Sequence, residues 1–115
     1  MAFRVMLIYP NLRGMNMLPP AIGLLSAVLK RGGFEVRLFD TTYYQKIEGK
    51  ESDSDGSKSD RLMARPFTMP HQISCKTTDC FEDFEQEVKD YKPDLLALSA
   101  TEDMWLLGIK LLKRV

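Results

Sequence analysis

What this chain lacks most plainly is an excess of either charge: among its 115 residues, 16 lysines and arginines are balanced by 16 aspartates and glutamates. Without net charge it offers no broad basic surface to a nucleic acid or an anionic membrane, and neither is expected as a partner. Long apolar runs are missing too. The apolar stretch within the first nine residues is too short for the hydrophobic region of a secretory signal. No segment approaches the roughly 18–20 apolar residues of a membrane span, so a cytoplasmic protein is expected. Cysteine and histidine are scarce, with two copies and one. Cys75 and Cys80 lie in a polar region, where a reducing compartment keeps them as thiols. His71 sits in the turn-like Met69-Pro70-His71-Gln72, so no zinc or iron ligand set is expected. The absence of Gly-x-Gly-x-x-Gly and of Gly-x4-Gly-Lys argues against a dinucleotide or a nucleoside triphosphate.

What is present is concentrated near the start. Arg4 to Tyr9 is an apolar strand, Pro10-Asn11 opens a loop, and Pro19-Pro20-Ala21-Ile22-Gly23-Leu24-Leu25 enters a helix that ends at Gly32-Gly33. Phe34 to Asp40 is a second strand, followed by Thr41-Thr42. This is a β-loop-α-β unit, the first half of an open parallel sheet. Ala21, Leu24, Leu25, Val28 and Leu29 recur at helical spacing and are expected to pack on that sheet. Lys30 and Arg31 suit the negative end of the helix dipole, and Gly32 or Gly33 supplies a left-handed cap.

After Thr41 the pattern dissolves. Glu48 to Asp60 is acidic, rich in serine and free of apolar residues, too polar to offset the entropy of ordering, so residues 46–78 are expected to form a mobile polar loop. Asp53-Ser54-Asp55-Gly56 has the alternation of a calcium loop, but Ala64 stands where its closing glutamate belongs. Asp79 then caps a helix from Cys80 to about Lys92, with Phe81, Phe84, Val88 and Tyr91 along one face, and Pro93 stops it. Asp94 to Ser99 reads as a third strand. Ala100 to Asp103 turns into a last helix, Met104 to Val115, striped by Met104, Leu107, Gly108, Leu111 and Leu112.

The order β-α-β-loop-α-β-α describes an α/β fold, a flavodoxin-like or Rossmann-like open parallel sheet with helices on both faces. Right-handed crossovers put the first strand in the middle, order 2-1-3. The third strand is as apolar as one buried on both faces, yet it falls at an edge. The expectation is therefore a truncated sheet: one partial domain over residues 1–115, the front of a longer protein, self-associating through its raw edge.

In such a sheet a ligand lies beyond the carboxyl ends of the strands, near the point where strand order reverses. The first loop supplies Tyr9, Pro10, Asn11, Pro19 and Pro20; the third supplies Ser99, Ala100, Thr101, Glu102 and Trp105. Rich in methionine, leucine and proline, the first loop is stiffer and more apolar than a phosphate cradle. It suits a broad, flat, partly apolar ligand. Each candidate also has a plain structural role: Pro19-Pro20 can start the helix, Ser99 and Thr101 can cap the last one, Trp105 can be core, and Met15 and Met17 can fill gaps. Asp40-Thr41-Thr42 is either turn chemistry or a hold on a ligand's polar edge, and Glu102 and Asp103 suit a helix start. No set of nucleophile, base and oxyanion donors assembles, so no catalytic residue is assigned.

Val5-Met-Leu-Ile-Tyr-Pro-Asn11, Leu18-Pro-Pro-Ala-Ile-Gly-Leu-Leu-Ser-Ala-Val-Leu-Lys30, Gly33-Phe-Glu-Val36, Phe39-Asp-Thr-Thr-Tyr43 and Pro93-Asp-Leu-Leu-Ala-Leu-Ser99, taken in order, resemble the N-terminal cobalamin-binding domain of radical S-adenosylmethionine enzymes. The resemblance implies a flavodoxin-like domain with cobalamin over the carboxyl ends of its strands. It also implies a downstream barrel holding S-adenosylmethionine and a [4Fe-4S] cluster, and methyl transfer or other radical chemistry by the parent protein. Corrin contact is implied for Tyr9, Pro10, Asn11, Pro19, Pro20, Ser99, Ala100, Thr101 and Glu102, with Trp105 beside them. The motif Asp-x-His-x-x-Gly is not matched, since His71 has Met69 before it and Ser74 after it, so the lower face of the corrin would lack a histidine ligand. Cys-x3-Cys-x2-Cys does not occur, so the chain alone would carry out no radical chemistry.

Two other readings compete. The N-terminal half of a nucleotide-sugar glycosyltransferase would share the first strand, helix and second strand, but favours a glycine-rich first loop. A phosphoacceptor domain of similar shape needs paired acidic residues after the first strand, and Arg4 to Asn11 contains none.

Overall fold

The computed structural model describes residues 2–11, 19–44 and 76–115. Most of the expected polar loop, Met15, Met17, His71 and Cys75 lie outside the described residues. Three parallel strands form the sheet: β1 (Arg4–Tyr9), β2 (Glu35–Asp40) and β3 (Leu95–Leu98), in the order β2-β1-β3. Val5 stands beside Val36 on one side and Leu95 on the other, and the middle strand is the most deeply buried of the three. The order follows from right-handed crossovers on either side of β1.

Helix α1 (Pro20–Arg31) starts as its sequence suggests, with Pro19 at the N-cap and Pro20 in the first turn, where a missing N–H costs nothing. It closes through Gly33, whose φ of +90° is open to glycine at no steric cost; Gly32 stays in the right-handed region. Helix α2 (Cys80–Tyr91) is capped by the Asp79 carboxylate, which accepts from the Phe81 N–H at 2.9 Å. It ends ahead of Pro93 with Lys92 at φ 53°, an uncommon place for a residue with a side chain. A 3₁₀ turn (Glu102–Met104) then leads into helix α3 (Trp105–Leu112).

The strands alternate their side chains between two unequal layers. On one face Met6, Ile8 and Phe39 meet Phe84 and Tyr91 of α2 and Leu107 and Leu111 of α3 in a continuous core. On the other, Val5 and Leu7 meet only Ile22 of α1, with Leu29, Val36 and Ala97 half-buried around them. The helical stripe expected of α1 is thus corrected. Ala21, Leu24, Leu25 and Val28 are exposed; of the expected stripe Leu29 alone packs on the sheet, and Ile22, outside that stripe, is the buried contact. At about 100° per residue the apolar side chains of α1 spread over an arc of roughly 160°, wider than one sheet contact can cover. The face that docks is at the margin of that arc rather than its centre.

Helix α3 lies unusually close to β3. A Cβ at Gly108 would stand 2.8 and 2.9 Å from the two Leu98 methyl groups and 3.2 Å from Pro10 Cγ. Gly108 is the residue that lets helix, strand and first loop touch.

Candidate functional site

The carboxyl ends of the strands are tied together by backbone and side-chain hydrogen bonds. Thr41 N–H donates to the Tyr9 carbonyl at 3.2 Å, and Ser99 N–H donates to the Ile8 carbonyl at 2.9 Å, so the loops after β2 and β3 leave the sheet on either side of Pro10. Between β1 and β2 runs a chain of polar contacts. The buried Thr41 hydroxyl donates to the Asn11 carbonyl at 2.7 Å, and the Asn11 amide donates to the Thr42 hydroxyl oxygen at 2.9 Å. Thr42 in turn gives both its N–H, at 2.9 Å, and its hydroxyl to the Asp40 carboxylate. The bond from the Thr42 N–H back to Asp40 is an Asx turn, so turn chemistry accounts for Asp40-Thr41-Thr42. Tyr9 is buried beside this network, and burial, followed by the nearby Asp40 carboxylate, raises its phenol pKa.

The candidate residues divide by exposure. Tyr9, Pro10 and Asn11 are buried, with Pro10 against α3 and Asn11 bonded across to β2. They set the floor of the site. Pro19, Ser99 and Ala100 are half-buried, while Pro20, Thr101, Glu102 and Trp105 are exposed. Thr101 occupies the N-cap position of the 3₁₀ turn, yet its side chain makes no capping bond; the turn is closed by Met104 N–H donating to the Thr101 carbonyl at 3.1 Å. Nor does the Ser99 hydroxyl have a partner among the described residues. The capping role open to both hydroxyls is therefore not used. Trp105 is 53% exposed and is not part of the core. Two free hydroxyls, a carboxylate and an indole face thus remain on the β3 side of the floor.

A concavity not anticipated from sequence lies along the outer edge of β2. Its volume is about 610 Å³, and Arg37, Asp40, Tyr44, Lys76, Asp83 and Glu87 are among the residues that line it. Its charges are spent within the protein. Arg37 pairs with Glu87 at 3.1 Å and lies over the Tyr91 ring at 4.5 Å. Asp83 accepts from Thr78 at 2.7 Å and from the Tyr44 phenol at 2.8 Å. The Thr78 bond above all, with smaller help from Tyr44 and Lys76, holds the Asp83 carboxyl below its ordinary pKa against a partial opposing effect of burial. Burial and then Asp83 raise the Tyr44 phenol. Tyr44 and Lys76 are brought together by an isolated parallel bridge. They lie too far apart in sequence for any local pattern to pair them.

The buried Cys80 thiol is pushed up to about 11, chiefly by burial and next by the Asp79 carboxylate, which leaves it unreactive at neutral pH. Among the described residues no group of three His, Cys, Asp or Glu side chains could hold a metal ion, and no helix is long and apolar enough to cross a membrane. No family model, curated protein or solved structure matches this chain.

Proposed function

We propose that this domain binds cobalamin at the carboxyl end of its sheet, as the cofactor module of a radical S-adenosylmethionine enzyme whose cluster-bearing barrel lies in a downstream domain. The observation that carries the reading is the pair of uncommitted hydroxyls, Ser99 and Thr101, beside an exposed indole at the end of β3. A corrin ring is broad and apolar across its faces and carries amides around its rim. Those amides can be met by Ser99, Thr101 and Glu102, and the ring by Trp105 and Pro20. Tyr9, Pro10 and Asn11 lie buried beneath, with Pro10 against Gly108 and Asn11 held by its bond to Thr42. The described residues contain no imidazole, so they would hold the corrin without supplying a lower nitrogen ligand themselves. Bound cobalamin supplies a cobalt atom able to carry a methyl group, while the residues here bind and orient the ring.

The test is to mix the purified chain with hydroxocobalamin, remove free cofactor by desalting and record the visible spectrum. Retained cofactor with the spectrum of the form lacking a lower nitrogen ligand is expected, and Trp105→Ala combined with Thr101→Ala should lower retention at least tenfold. An unchanged spectrum with no retention overturns the proposal.

A further inference from the structure

We propose that two copies of this chain join antiparallel through β3, across a two-fold axis at Ala97, to make a six-stranded sheet.

Backbone parity identifies which groups face outward. Glu35 N–H donates to the Phe3 carbonyl and Thr41 N–H to the Tyr9 carbonyl, so the odd residues of β2 turn inward and Val36, Leu38 and Asp40 face the open side. Ser99 N–H donates to the Ile8 carbonyl, so by the same alternation Leu95 and Ala97 face β1, while Leu96 and Leu98 direct their backbone groups outward. Both edges are thus open among the described residues, but they are not alike. Along β2 stand Glu35, Arg37 and Asp40, with the Arg37–Glu87 ion pair across the concavity, and charge of this kind discourages strand addition. Leu95-Leu96-Ala97-Leu98 carries no charge, and Leu95 is 50% exposed.

The occupant is a second copy because the ends of β3 complement each other when reversed. Exposed Lys92 precedes the strand, and exposed Glu102 and Asp103 follow it. None of the three has an ion-pair partner among the described residues. An antiparallel register centred on Ala97 pairs Leu96 with Leu98 of the second copy, matching all the outward backbone groups, and it brings Lys92 to the level of Glu102 on the other chain. Parallel addition would instead set like charge beside like. The contact is isologous and closes at two copies. It does not rest on the cobalamin reading, although Glu102 enters both, and Lys92→Glu and the position-97 cross-link test it without touching that site.

Sedimentation velocity over a wide concentration range is the first measurement, and a reversible monomer–dimer equilibrium is expected. Lys92→Glu and Glu102→Lys should each weaken the dimer by roughly tenfold, since symmetry removes two exposed ion pairs at once. Both substitutions together should restore it. At a non-hydrogen-bonded antiparallel pair the Cα atoms lie about 4.5 Å apart, within disulfide range, so Ala97→Cys in a Cys75→Ser background should oxidise to a covalent dimer. Leu38→Cys in the same background should not. A monomer at all concentrations, open-ended growth, charge variants without effect, or cross-linking at position 38 in place of 97 overturns the proposal.

Discussion

The two faces of the sheet use the same three strands and reach different results. Beneath α2 and α3, large side chains from four elements close around Phe84, which is fully buried, and Phe39 and Phe84 pack with ring centroids 5.1 Å apart. Beneath α1, the buried set is Val5, Leu7 and Ile22, and Leu38 and Leu95 remain partly open to solvent. The difference teaches that an apolar stripe shows that a helix has something to bury, whereas the number of elements crossing that face decides how much of it is buried. Among the described residues, two helices share one side and one helix serves the other.

That contrast can be broken most severely at Phe84. Phe84→Ala removes the centre of the deeper core and should cost about 3–5 kcal/mol, read as a fall in the denaturant midpoint. On the thinner side Ile22→Ala should cost about 2–3 kcal/mol, because the exposed surroundings let the site collapse in part. If the two losses came out equal, the asymmetry of the faces would have no energetic meaning. A smaller effect is expected for Asp83→Asn, about 1 kcal/mol at neutral pH, since the charge-assisted bonds from Thr78 and Tyr44 are weakened rather than removed. Its pH dependence sharpens the comparison. The folded state lowers the Asp83 pKa, so its stabilisation is complete above the ordinary aspartate value near 4 and fades as the pH falls below it. The variant should lose that part of the acid sensitivity, as unfolding curves between about pH 2 and 6 would show. Least of all, Leu24→Gln on the open face of α1 should stay within about 0.5 kcal/mol of the parent.

Much of this fold was legible before any coordinates. Strand order 2-1-3, the Asp79 cap, the Pro19-Pro20 helix start and the stripe of Met104, Leu107, Gly108 and Leu111 all follow from local pattern and from the handedness of crossovers. The rotation of α1 was not legible, because five large apolar residues spread around a helix do not name the two that meet the sheet. The site was readable in part. The chain after β1 had to face the carboxyl end, but whether the Thr101 hydroxyl capped a turn depended on a torsion that composition does not encode. The Tyr44–Asp83–Thr78 cluster was invisible, since it joins residues from either side of a long polar segment.

The hydrogen that serves Gly108 as a side chain has one more consequence. Because Leu98 and Pro10 both press on the backbone there, α3 cannot slide without moving the end of β3 and the first loop with it. Trp105, the sole tryptophan of the sequence, stands one turn earlier on the same helix with its indole in water. The domain therefore carries its own fluorophore on the element most tightly geared to the carboxyl end. A change in the colour or quenching of its emission reports on that end directly, with no label attached.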